Sequence, residues 1–225
     1  MTNTNRPAEN CYFKRIGVEL NAYRRHLLDR IEIQKSTKGV SKIIIDGVSP
    51  QTKPSSIYAA AAKFDLCELL IDSSENLSRC AQWQIHSVQL DMTADRGYKK
   101  GPISSVMHAG IYFTIDMAGY SCASTRRMWI YNVRNLLNLC SKKNIIVVFN
   151  EEKYTEEEVL EIFLLFKIKK RVAVKFLSTN VENMLITAAM KKYAYKGAII
   201  PMEENESSFK RLVYRATKPL KSIKK

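Results

Sequence analysis

A chain of 225 residues with 46% hydrophobic content can bury one substantial core, so a single main domain is the default. Its 36 Lys and Arg outnumber 22 Asp and Glu, and the resulting net charge of +14 exceeds what solubility requires and points to an anionic polymer as partner. No apolar run reaches the roughly 20 residues of a spanning helix, no amphipathic anchor opens the chain and residues 1–10 lack a signal-peptide core, so neither membrane nor secretion is expected.

Short β-branched runs predict strands at residues 17–20, 41–46, 66–72, 87–92, 111–117 and 145–149. Ile43-Ile44-Ile45 and the run 145–149 are apolar without alternation, as parallel strands buried on both faces are. Helices are predicted between them at 55–64, after Pro54, and at 73–83. A third, at 124–141, has a core stripe of Ile130, Val133, Leu137 and Cys140, with Arg127, Tyr131, Arg134 and Asn138 on the other side. Thr155-Glu156-Glu157-Glu158 has the spacing of a capping box and opens an apolar helix through Phe166, whereas 172–176 fits strand or helix. Strand and helix alternating at this interval define an α/β protein, either a doubly wound sheet or a (β/α) barrel. The chain divides into a flexible N-terminus, 1–12, one domain, 13–206, and a basic tail, 207–225, that is free of acidic residues.

Catalytic patterns are scarce. Cys11, Cys67, Cys80, Cys122 and Cys140 lack metal or redox spacing and read as reduced, mostly buried thiols, and His26, His86 and His108 stand apart from one another. There is no nucleophile elbow and no phosphate-cradling glycine loop. Asp46, Asp72, Asp91 and Asp116 fall at strand C-termini, where a barrel carries its active site, so an oxygen-only Mg²⁺ site is one reading. Aspartates that simply cap turns and helices are the favoured one. His86 and His108 precede their strands and belong to the opposite face.

Arg126 and Arg127 open the 124–141 helix, where the macrodipole disfavours cations, so their charge calls for a phosphate or for salt bridges to the strand-end aspartates. Lys99 and Lys100, Lys142 and Lys143, the basic cluster 167–175 and Lys218 and Lys221 of the tail read as solvated faces or as backbone contacts to RNA. Trp129 and Tyr131 read as core or partner contacts before base-stacking platforms.

The segment Gly101-Pro102 to Ile115, the pair Arg126-Arg127, Asn135-Leu136 and Lys142-Lys143-Asn144 before Ile145-Ile146 resemble the thirty-kilodalton, TIM-barrel-like protein subunit of ribonuclease P and ribonuclease MRP. Phe64-Asp65-Leu66, the strand at 88–90 and Ser178-Thr179-Asn180 extend that ordered series over residues 40–200. Two departures stand out. Ser121-Cys122-Ala123 replaces the family's charged pair before the double arginine, and the pattern begins near the family's second strand, which implies an incomplete or reduced barrel.

The resemblance implies an RNA-binding subunit that supports 5′-leader removal from precursor tRNA in the nucleus or nucleolus. It implies ribonuclease P RNA, MRP RNA as a second candidate, precursor tRNA and other subunits as partners, and no membrane. Catalytic Mg²⁺ is then held by the RNA, and this chain carries no cofactor, no metal ligand and no catalytic residue. Its RNA-contacting set is Arg126, Arg127, Arg134, Lys142, Lys143, Lys99, Lys100, Lys218 and Lys221. The alternatives are a free-standing metal-dependent hydrolase that uses the strand-end aspartates and a generic nucleic-acid-binding or ribosome-assembly factor.

Overall fold

The computed structural model describes residues 20–26, 40–49, 51–94 and 98–193. Six strands, β1 (Leu20–His26), β2 (Val40–Asp46), β3 (Leu66–Ile71), β4 (Ser87–Leu90), β5 (Tyr112–Asp116) and β6 (Ile145–Val148), form one parallel sheet in chain order. A doubly wound sheet reverses its order at a switch point, whereas this order never reverses, so the crossovers fall on one side as in a (β/α) barrel. Of the two architectures the sequence leaves open, the structure is therefore the barrel-like one.

Helices follow as α1 (Pro54–Lys63), α2 (Ser74–Cys80), α3 (Lys100–His108), α4 (Ala118–Ser121), α5 (Ala123–Leu139), α6 (Glu156–Leu165), α7 (Lys170–Leu177) and α8 (Thr179–Tyr193). Thr155 and Glu158 form the expected capping box of α6, each side chain bonded to the other's backbone N–H. Three expectations change. The first strand runs on to His26, past its expected end at residue 20, while 17–19 lie outside the described residues; the ambiguous 172–176 belongs to α7; and α3 was not expected. The start of α3 is legible in retrospect, since Pro102 sits in its first turn and Ile103 and Val106 form its buried side. The termini 1–12 and 207–225 lie outside the described residues.

Strand register separates two unlike faces. Ile43, Ile45, Cys67, Leu69, Ile71, Val88, Leu90, Phe113, Ile115, Ile145 and Val147 share one face and are all buried. The other face carries Arg24, Lys42, Glu68, Ser87, Gln89, Thr114 and Asp116. Here Glu68 of β3 accepts hydrogen bonds from Ser87 of β4, at 2.5 Å, and from Thr114 two strands away on β5, and Lys42 Nζ lies 2.9 Å from its other oxygen. Neighbouring strands are about 4.8 Å apart, so a bond that skips a strand requires the sheet to curl around this face. Ile44, expected to be buried on both sides, projects from this inner face and is only half-buried.

α8 runs beneath the N-terminal edge of the sheet. Asn180 Nδ2 donates to the carbonyls of Lys142 and Ile145 before and at the start of β6, and Lys192 reaches Asp65 before β3 at 2.9 Å.

The turn after α6 ends in a Schellman motif, with Ile168 N–H bonded to Phe163 O and Lys167 N–H to Leu164 O. Lys167 occupies the left-handed position with φ 60°, where glycine carries no Cβ penalty. Lys167→Gly is expected to raise the unfolding free energy by about 0.5–1 kcal/mol, measured by urea denaturation. A lower stability would show that the lysine side chain makes contacts outweighing the strain.

Candidate nucleic-acid interface

β5 leads into α5 through a tight corner. Asp116 Oδ1 accepts the Ala118 N–H at 2.8 Å, and Trp129 Nε1 donates to the Asp116 carbonyl at 2.8 Å. Gly119 makes the approach possible, since a Cβ there would lie 2.6 Å from the Trp129 ring. Cys122 caps α5 from an exposed position, and hydrogen bonds from Ser124 and Thr125 pull its thiol down to about 7.

The buried side of α5 comprises Trp129, Asn132, Val133, Leu136 and Leu137, followed by the buried C-cap Cys140. Ile130, expected in the core stripe, is 37% exposed. The stripe is turned by one residue because Trp129 fills the corner against Asp116 and Gly119, while Asn132 is buried to bond the carbonyls of Met92 and Ala94. Of the two aromatic residues, Trp129 is core and Tyr131 is 62% exposed.

Arg126 and Arg127 are the fourth and fifth residues of α5, one step beyond the opening turn expected for them. Arg126 is exposed and folds back, its Nε donating to the Tyr120 carbonyl at 2.8 Å and its guanidinium stacking 5.1 Å from the Tyr120 ring, so it ties α4 to α5. Arg127 and Arg134 are exposed and have no ion-pair or hydrogen-bond partner among the described residues. Neither arginine of the pair bridges to a strand-end aspartate. Lys99 and Lys100 are exposed at the start of α3, and Asn135 Nδ2 bonds the Tyr98 carbonyl at 3.4 Å, which brings that loop against the side of α5. Lys142 is committed at the other end of the helix, where its ammonium caps α5 through the Leu137 carbonyl, and Lys143 beside it is exposed. Lys218 and Lys221 lie outside the described residues.

The strand-end carboxylates share the opposite mouth of the inner face. Asp72, Asp91 and Asp116 line a cavity of about 310 Å³ together with Arg24, Gln89 and Trp129. Each is engaged locally: Asp91 Oδ1 accepts the Thr93 N–H and hydroxyl, Asp116 Oδ2 accepts from Gln89, Asp72 Oδ1 from Asn76, and Asp46 pairs with Arg24 at 3.2 Å. Among the described residues no three His, Cys, Asp or Glu side chains come together in a way that could hold a metal ion. His86 lies at the other edge of the sheet, its Nδ1 accepting the Cys67 N–H at 3.0 Å; burial, with Lys191 and Lys192 nearby, pushes it down to about 4.

The feature that sequence reasoning missed is the inner polar cluster of Lys42, Glu68, Ser87 and Thr114. Its signal was present as single charges of opposite sign inside the otherwise apolar strands of residues 40–46 and 66–71.

Fold and surface together define a class: a singly wound, barrel-like (β/α) domain with a polar interior and, on one outer helix, exposed arginines that have no partner among the described residues. No family model and no curated protein matches the sequence. Among solved structures the chain is similar to a chain of the cryo-EM structure of archaeal ribonuclease P with mature tRNA, with a TM-score of 0.66 and 10% identity. The match covers 86% of this chain and 93% of that one, and at this identity it is a likeness of fold.

Proposed function

We propose that this chain is an RNA-binding protein subunit of ribonuclease P, of the thirty-kilodalton type, which supports 5′-leader removal from precursor tRNA in the nucleus by a catalytic RNA. The carrying observation is the fold likeness, which spans nearly the whole of both chains and is matched to a chain found in a ribonuclease P particle. The ordered motif series from Phe64 to Asn180 and the net charge of +14 support the same reading independently. The chain itself neutralises phosphates and orders RNA; catalytic Mg²⁺ belongs to the RNA, and the other subunits dock on this domain. The hydrolase alternative needs carboxylates converging on one point, and although Asp72, Asp91 and Asp116 line one cavity, among the described residues they do not come together closely enough to hold a metal ion.

Two measurements test the proposal. RNA recovered with the tagged protein from its own cells is expected to be enriched in ribonuclease P RNA, and enrichment of ribosomal RNA alone would favour an assembly factor. The purified protein with Mg²⁺ is expected to leave precursor tRNA intact, with cleavage appearing on addition of the RNA and the partner proteins. RNA-free turnover that disappears in Asp72→Asn or Asp91→Asn would replace this reading with the hydrolase.

A further inference from the structure

The outer face of α5 combines features that no fold requirement explains. Tyr131 is the most exposed aromatic side chain among the described large hydrophobics and makes no hydrogen bond among the described residues. Arg127 stands four residues before it and Arg134 three residues after, so all three share one helical face, with the arginines separated by about 10 Å along the axis. α5 contains no Asp or Glu, and neither arginine has a partner among the described residues, so two full positive charges flank an exposed ring without compensation.

Resting on the RNA-binding reading, we propose that this face binds one unpaired RNA nucleotide, its base stacked on Tyr131 and its two flanking phosphates held by Arg127 and Arg134. A planar ring presented to solvent offers a base the stacking surface that paired RNA does not need. Guanidinium groups on either side supply forked contacts to phosphate. Charge favours RNA as the occupant, because α5 carries these arginines with no acidic residue and the whole chain stands at +14, which suits a polyanion.

The probe is a 20-base-pair RNA duplex with or without a single unpaired nucleotide, titrated with the full chain at several salt concentrations. The parent is expected to prefer the interrupted duplex by roughly tenfold, the scale of one base–aromatic stack. Tyr131→Leu should abolish that preference while leaving fully paired binding and its salt slope unchanged; Tyr131→Phe should retain it. Arg127→Ala and Arg134→Ala should each lower the salt slope by about one. Equal binding of both duplexes by parent and Tyr131→Leu would overturn the nucleotide site and leave the RNA-binding reading standing. Failure of every variant and of the parent to bind either duplex would overturn both. Loss of a protein subunit from the assembled particle in Tyr131→Leu, with RNA preference intact, would reassign the face to protein and equally overturn the proposal.

Discussion

Lys42→Met is expected to lower the unfolding free energy by about 3–5 kcal/mol, because it leaves the Glu68 carboxylate buried without its counter-charge. Lys42 and Glu68 are 8% and 1% exposed and lie 2.9 Å apart. Burial pushes the Glu68 carboxyl up, but Lys42 and the hydroxyls of Ser87 and Thr114 together pull it below its ordinary value. Removing the lysine reverses that balance. The double variant Lys42→Met with Glu68→Gln should recover much of the loss, since the amide oxygen still accepts both hydroxyls and no charge remains. Urea denaturation of parent, single and double variants measures the three values. A single variant that costs under about 1 kcal/mol, or a double variant no better than the single, would show that the pair is hydrated and not a buried ion pair.

Acidification from pH 6.5 to 4 is expected to cost about 3 kcal/mol of stability through His86 alone. Burial, reinforced by Lys191 and Lys192 and only partly offset by Asp65, holds the folded imidazole neutral down to about 4. The unfolded chain takes up the proton near 6.5. Between these values the unfolded state binds more protons, so stability falls as pH falls, at about 1.4 kcal/mol per unit, and is fully present above 6.5. Asp65 and Glu68, both held below their ordinary values, add losses of their own that begin as pH falls through the ordinary carboxylate range at the bottom of this window and continue below it. His86→Asn keeps an acceptor for the Cys67 N–H and removes the titrating ring, so its denaturation midpoint should be nearly flat from pH 6.5 to 4.5. A variant with the parent's slope would place the acid sensitivity elsewhere.

The parts of this fold that were legible in the sequence are those whose cause is local. Ile145 to Val148 form a strand and Thr155 caps a helix because β-branching and the Thr-x-x-Glu spacing act within a few residues. The edge strand β1 runs on to His26, past its expected end at residue 20, because its pairing with β2 outweighs the mixed aromatic and basic composition of Tyr23 to His26. α5 was assigned its extent but not its buried arc. Counting apolar positions selects Ile130, whereas the corner at Gly119 and the Asp116 carbonyl select Trp129.

The candidate interface divides in the same way. Charge imbalance and the double arginine can be read directly, because charge is a property of composition and of position along one helix. That Arg126 is spent on Tyr120, Lys142 on the Leu137 carbonyl, and Arg127 and Arg134 on no partner among the described residues depends on what each side chain meets across the corner and at the helix end. The sequence by itself therefore determined the α/β class, the strand succession and the basic character. Tertiary structure decided between a doubly wound sheet and a barrel-like one, and it gathered Lys42, Glu68, Ser87 and Thr114 into one interior cluster. Strand pairing and sheet curl join residues up to 46 positions apart, as Glu68 and Thr114 are, and no short-range pattern along the chain encodes a contact at that separation.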